Sequence, residues 1–359
     1  MYDKDHVSNG LEVHLIDVAC IEPQKDGGTD MSTSEYFTEL SNPLTPAEIS
    51  LAESILSKIH DQEYIASLKN NCEQSRQNRI IDEGKNPLGW IGYIDGSDTY
   101  LTTESYNVGL RTTCAWIKSV ETSLGMSTST NSNIDDDQIG IALTRPPGHH
   151  ATYSEANGFC FFNFALAAAF HVLQKQPGIK ISILDFDVHF GQGIADILEK
   201  CSKKETTDNG EDWTSNIRYV SLHQVPAYPY SGQSRKIQGR NQNVLTIPIH
   251  IESTWSCGYR ELFTKYALPF VSTPREWEPN LVIVCAGYDA LDSDELASVN
   301  LVANDFGEMT RILKDHIQKS TLTKPALMFG LEGGYQLRDG VAGGNLSDAL
   351  MRTIRALQE

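Results

Sequence analysis

The sequence has no cysteine pair in CxxC spacing, no long apolar run, and far fewer basic than acidic residues. Each absence excludes something. The seven cysteines, Cys20, Cys72, Cys114, Cys160, Cys201, Cys257 and Cys285, are scattered and odd in number. That speaks against a disulfide framework or a structural zinc knuckle, and for a reducing compartment. No stretch of roughly 18 consecutive apolar residues occurs, so no membrane-spanning helix and no membrane partner are expected. The N-terminus is polar and acidic. It lacks the apolar centre of a secretory signal and the Arg-rich, acid-poor character of a transit peptide. Nucleus and cytoplasm are the expected compartments, and an organelle is also compatible. Lysine and arginine number 29 against 47 acids, a formal charge of −18. Such a surface repels phosphates, so direct nucleic-acid binding is not expected, whereas basic peptides or polyamines are attracted.

What is present is an alternation. Apolar runs with the character of buried strands recur at residues 139–143, 181–184, 217–222, 244–249, 281–286 and 326–331. Helical segments separate many of them, at 163–174, 256–266 and 303–320. The pattern predicts an α/β fold, a parallel sheet covered on both faces. Thr45-Pro46-Ala47-Glu48 reads as an N-cap, a first-turn proline and a first-turn acid, opening a helix that runs to about residue 59. Further helices are expected near 63–70 and 106–124. Residues 1–44 read as an N-terminal segment, partly loop, with a strand within 11–20. Residues 45–359 read as one domain, with a surface loop at 127–137 and an insertion at 200–213.

The most informative stretch runs from Ile183 to Gly193. It leaves an apolar strand and turns polar at alternate positions, so Asp185, Asp187 and His189 would share one side of an extended chain. Two carboxylates and an imidazole at the C-terminal end of a strand suit a divalent metal, and open α/β sheets bind ligands at that end. The competing reading is a structural Asp/His hydrogen-bond cluster. Three other strand runs end in similar clusters: Arg145-Pro146-Pro147-Gly148-His149-His150, Ala286-Gly287-Tyr288-Asp289 and Glu332-Gly333-Gly334-Tyr335. In a parallel sheet all four ends lie on one rim, which favours an active site. Asp187, His189 and Asp289 supply the three protein ligands that a catalytic zinc needs beside an open position. Such a metal lowers the pKa of water and polarises a carbonyl. His149 and His150 are candidates for acid/base work, with a structural loop pair as the alternative. Tyr335 offers a phenol O–H to an oxyanion, and Gly333 and Gly334 permit close backbone approach.

These motifs, together with Gly158-Phe159-Cys160-Phe161-Phe162-Asn163 and Ser221-Leu222-His223-Gln224, resemble the histone deacetylase superfamily. The resemblance runs from about residue 45 to the end, and Glu332 before the glycine pair is similar to the class II branch. It implies the arginase-deacetylase fold, a single three-layer domain around an eight-stranded parallel sheet, so that 45–359 would be the catalytic domain. It implies a zinc-dependent amidohydrolase acting on acetyl-lysine in proteins or basic peptides. The alternatives are an amidohydrolase for acetylated polyamines or similar small amines, and an inactive acyl-lysine binding module. Zn²⁺ would lie on Asp187, His189 and Asp289. His150 would be the general base, His149 its orienting neighbour, and Tyr335 the carbonyl polariser. Asp185 would support His149, and Gln192 would support His150. Gly158, Phe159, Tyr228, Leu296 and Gly334 would line the substrate channel. Thr99, or Asp98 beside it, would contact the substrate backbone at the rim. A structural K⁺ would use Asp185, Asp187, His189, Ser221 and Leu222.

The sequence departs from the family pattern at several places, and the family's usual His-Pro-Glu-type loop is not found near the N-terminus. Phe190 stands where a second histidine is usual, Gln192 stands where some members have an acid, and the run 291–295 is unusually acidic. Leu296 occupies the channel-wall position where polyamine-selective members carry a glutamate, and an apolar residue there suits a neutral methylene stem.

Overall fold

A computed structural model describes residues 11–15, 43–79, 90–93, 99–126, 138–203, 212–322 and 324–359. In chain order its elements are β1 (Leu11–Leu15), α1 (Pro46–Ile59), α2 (Gln62–Arg79), β2 (Trp90–Tyr93), β3 (Tyr100–Thr102), α3 (Ser105–Ser123), β4 (Ile139–Leu143), α4 (Phe164–Lys175), β5 (Ile181–Asp185) and α5 (Gln192–Cys201). There follow β6 (Ile217–Val225), β7 (Lys236–Gln238), β8 (Val244–His250), α6 (Tyr259–Leu262), α7 (Leu268–Val271), β9 (Leu281–Ala286), α8 (Ala303–Ser320), β10 (Ala326–Leu331) and α9 (Leu346–Gln358). All six apolar runs are strands. The helix expected at 256–266 is instead the short α6, followed by a π turn at Phe263–Ala267 that leads into α7. The expected loop 127–137, Asp98, and most of the insertion at 200–213 lie outside the described residues.

The main sheet has eight strands in the order β1-β4-β10-β9-β5-β6-β8-β7. Seven run parallel, and β7 runs antiparallel to β8, a correction to the all-parallel sheet expected from sequence. The reason is the connection. Only residues 239–243 separate the two strands, whereas a parallel pair needs a crossover of roughly a dozen residues or more. The strand at Leu11–Leu15 pairs with β4 along the opposite edge. β2 and β3 form a separate antiparallel pair.

Two apolar cores cover the two faces. On β9, Leu281, Ile283 and Cys285 face one core, and Val282, Val284 and Ala286 face the other, as period-two alternation requires. The first core is filled from α1, α3, α4 and α5, with Ile55, Trp116, Phe164 and Ile194 among its members. The second is filled from α6 to α9, with Tyr259, Phe306 and Leu313. The start of α1 is the capping box read from sequence. Thr45 Oγ1 accepts the Glu48 N–H at 3.3 Å, and the Glu48 carboxylate accepts the Thr45 N–H at 2.9 Å.

The first core also braces the loops that leave the sheet. His60, fully buried after α1, donates Nδ1–H to the Thr152 carbonyl at 2.9 Å and accepts the Asn163 N–H at Nε2 at 3.0 Å. Burial pushes its pKa down to about 4, so it stays neutral and keeps both bonds. The Tyr64 hydroxyl donates to the Phe161 carbonyl at 2.6 Å.

Trp116 needs a gap in the sheet. Its indole lies against Gly330 in β10, where any Cβ would overlap the ring, and its Nε1–H donates to Thr144 Oγ1 at 3.1 Å. Gly330→Ala should therefore cost roughly 1–3 kcal/mol through overpacking. A lowered denaturation midpoint is the expected result, and a variant as stable as the parent would contradict this packing.

Candidate active site and metal centre

β5 and β9 are neighbours, with Asp185 opposite Cys285. The loops that follow them therefore emerge side by side at the C-terminal rim. The chain does not stay extended beyond Asp185, as the sequence pattern suggested. Residues 187–189 form bends instead. Carboxylates capture the local backbone N–H groups and curl it: Asp185 Oδ1 accepts from Asp187 N (3.1 Å), and Asp187 Oδ1 accepts from His189 N (2.9 Å). The neighbouring loops close the turn. Asp289 Oδ1 accepts the Val188 N–H at 3.0 Å, and Asp187 Oδ2 accepts the Gly333 N–H at 2.7 Å.

This curl gathers Asp187, His189 and Asp289, whose ligand atoms all lie within 4.8 Å of one another. His189 Nδ1 is 3.3 Å from Asp187 Oδ1 and 3.0 Å from Asp289 Oδ2. Both carboxylates are buried. A Cβ at Gly287 would collide with Asp187, and one at Gly333 with both carboxylates, so both positions require glycine beside the triad. Burial, and then the charge of Asp187, raise Asp289 to about 6. Burial also opposes ionisation of Asp187, but the charges of His149 and His189 outweigh it and hold this carboxyl well below its usual range. Two carboxylates and one imidazole, with ligand atoms this close and only His189 partly exposed, are a three-ligand donor set that fits a four-coordinate zinc with one position left for water.

The paired histidines lie beside the triad, with ring centroids 4.0 Å apart. His149 Nδ1 faces Asp185 Oδ2 at 3.0 Å, and His150 Nδ1 faces Gln192 Oε1 at 2.6 Å. Their environments push them in opposite directions. Burial disfavours the charge on His149, but the Asp187 and Asp185 carboxylates outweigh it and raise its pKa to about 10. Burial, and then the charge on His149, lower His150 well below the ordinary histidine range. The loop carrying the pair is anchored by Glu332, whose buried carboxylate accepts the Gly148 N–H at 2.6 Å and the His149 N–H at 3.1 Å. Burial is the main cause that raises Glu332 to about 7.

Tyr335 is 36 % exposed at the mouth, its ring 5.9 Å from that of Phe159 and 5.3 Å from the Arg145 guanidinium carbon. Partial burial, and then the Asp289 and Asp187 charges, push its pKa up, so the phenol keeps its proton. Tyr228 meets His150 edge to face at 5.0 Å. Gly158 and Phe159 both have left-handed φ, 52° and 68°. A side chain at Gly158 would strike His150, so this wall requires glycine. Leu296 is exposed near the same mouth, tied through its N–H to Asp294.

Other expectations change. Thr99 does not lie at the rim. It is fully buried, and its hydroxyl accepts the Phe159 N–H at 3.0 Å, supporting the wall from behind. Asp185 and Ser221 are opposite one another on β5 and β6, with Leu222 buried next in line. Ser221 Oγ lies 3.0 Å from His223 Nδ1. Phe190 stacks on His223 with centroids 4.7 Å apart, so the aromatic residue is accommodated by a neighbouring ring. Sequence reasoning missed Tyr219, whose hydroxyl donates to Asp185 Oδ2 at 2.8 Å. The signal was its place two residues before Ser221 on the same strand face. It also missed Asp294, hidden in the acidic run.

A family model described as "Histone deacetylase domain" matches residues 30–345. The uncharacterized protein slr0245 of Synechocystis is 33% identical, over 84% of this chain and 80% of its own length. Histone deacetylase 14, chloroplastic, of Arabidopsis thaliana is 29% identical over 84% of this chain. This chain spans 63% of that relative's length. The crystal structure of the HDA15 HD domain superposes with a TM-score of 0.63 at 23% identity, covering 90% of this chain and 76% of that one, a likeness of fold.

His189→Ala should retain the fold and lose bound divalent metal, read by circular dichroism and by elemental analysis of the purified protein. Full metal content in that variant would contradict the triad.

Proposed function

The chain belongs to the histone deacetylase family, and from that premise we propose that it is a zinc-dependent hydrolase of the acetyl-lysine amide in proteins or peptides. The observation that carries this reading is the placement of two adjacent histidines beside a buried Asp187/His189/Asp289 triad, one facing the Asp185 carboxylate and the other the Gln192 amide, environments that push their pKa values in opposite directions. Groups whose environments push their pKa values apart are matched to separate acid and base roles. Zinc held by the triad would supply a Lewis acid for the substrate carbonyl and lower the pKa of a water molecule.

The protein's own groups then divide the work. Burial and the neighbouring His149 favour the neutral form of His150. Its Nδ1–H donates to Gln192, which leaves Nε2 free to take the proton of the attacking water. The same nitrogen later delivers that proton to the departing lysine nitrogen as the C–N bond breaks, giving acetate and a free amine. His149, fixed by Asp185, stabilises the negative charge that develops on the former carbonyl oxygen. The Tyr335 phenol donates a hydrogen bond to the same oxygen. Phe159, Tyr228 and Gly158 enclose the methylene stem, and exposed Leu296 extends the apolar wall. The formal charge of −18 favours encounter with basic peptides. In this reading Asp185, Asp187, His189, Ser221 and Leu222 also hold a structural K⁺ beneath the site.

The compartments that fit are the nucleus, the cytoplasm and an organelle. Among the described residues, no helix is long and apolar enough to cross a membrane.

The test is a side-by-side assay of the zinc-loaded protein on an acetyl-lysine peptide and on acetylated polyamines. Higher kcat/KM on the peptide is expected. Preference for the polyamine would replace this reading with a small-amine amidohydrolase, and would turn attention to exposed Glu295 beside Leu296.

A further inference from the structure

One peptide unit at the mouth is gripped from both sides. The Gly334 carbonyl accepts an N–H of Arg145 Nη2 at 2.6 Å, and the Tyr335 N–H donates to Asp294 Oδ2 at 2.6 Å. These are the two polar groups of the same peptide bond, one held by a guanidinium and the other by a carboxylate. Arg145 Nη1 also donates to the Glu332 carbonyl.

Asp294 sits in an acidic run, yet it is only 4% exposed. Its Oδ2 accepts the Gln336 N–H as well, at 3.2 Å, and its Oδ1 accepts the Leu296 N–H at 3.0 Å. Three backbone N–H groups from two loops thus converge on one carboxylate. Hydrogen bonds to an ionised acceptor are roughly twice as strong as neutral ones. Two further ties join the same loops: Gln336 Nε2 donates to the Ser293 carbonyl at 2.7 Å, and Ser293 Oγ to the Gly344 carbonyl at 2.9 Å. Gly334 has φ 117°, a region open to glycine and little else, so the backbone ahead of Tyr335 has wide intrinsic freedom. Its direction must be imposed by neighbours.

We propose that Asp294 is a positioning residue. It holds the Tyr335 N–H while Arg145 holds the Gly334 carbonyl, which fixes the direction in which the phenol leaves the backbone. Through the Leu296 N–H it ties the channel wall to the same anchor. The role rests on the reading of Tyr335 as the group that donates to the substrate oxygen.

A double-mutant cycle with Asp294→Asn and Tyr335→Phe tests it, using zinc-loaded protein and an acetyl-lysine peptide. Asparagine keeps the shape but presents an N–H₂ group to one of the two loops in place of an acceptor. Tyr335→Phe alone should lower kcat about 10²–10³-fold, as for other removed oxyanion donors. Asp294→Asn alone should lower kcat roughly 10–100-fold with KM within about threefold, the size expected for a misplaced group. In the Tyr335→Phe protein the same change should alter kcat by less than about twofold, because the two act as one unit. Amide hydrogen exchange at Tyr335 and Gln336 should quicken in Asp294→Asn while the central strands stay protected. Equal losses of kcat in both backgrounds, parental turnover by Asp294→Asn, or unchanged exchange at Tyr335 would overturn the positioning role alone. Parental turnover by Tyr335→Phe would overturn the reading of the tyrosine and this proposal with it. If the asparagine protein does not fold, Asp294→Ser runs the same cycle with the same outcomes.

Discussion

Two carboxylates, Asp187 and Asp289, are buried side by side at the ends of neighbouring strands, and much of the rim is arranged around that fact. Like charges at such a distance inside a protein are expensive unless donors and cations surround them. The surrounding groups supply both. The N–H groups of Val188 and Gly333 point at the pair, His189 stands between them, and His149 lies 3.7 Å from Asp187 Oδ1. Each donor comes from a different loop, or from a different part of one. Satisfying two carboxylates therefore fixes the mutual placement of the loops after β5, β9 and β10.

The same device repeats at a distance from the triad. Glu332 anchors the loop of His149 and His150 through two backbone N–H groups, and Asp294 anchors the loops of Tyr335 and Leu296 through three. The acidic groups of the rim thus do two jobs. Some face the space where chemistry would occur, and others act as rigid acceptors that shape the loops. Net charge alone did not separate these roles, because an inward carboxylate and an exposed one count equally in it.

What the sequence made legible were the features with a local signature. Strands announced themselves as apolar runs, and the capping box of α1 lay in four consecutive residues. The candidate ligands could be named because four strand ends with polar clusters must share a rim in a parallel sheet. What stayed hidden depended on contacts across the chain. The direction of β7 follows from its short connection to β8, and β7 itself, three mostly exposed residues, carries no apolar run to announce it. The curl after Asp185 arises from side chains binding backbone, which period-two reasoning ignores. Thr99 was placed at the rim by its motif position, but it is buried and its hydroxyl accepts the Phe159 N–H. Asp294 looked like part of a solvated acidic loop until its three amide partners from two loops were in view.

Cleavage of the amide by this protein should require a metal on the Asp187, His189 and Asp289 donor set. The direct measurement is hydrolysis of an acetyl-lysine peptide by protein stripped with a chelator, before and after one equivalent of zinc is restored. Loss of turnover on stripping and its recovery with zinc, at unchanged secondary structure, is the predicted result. Undiminished turnover by fully metal-free, folded protein would contradict the account.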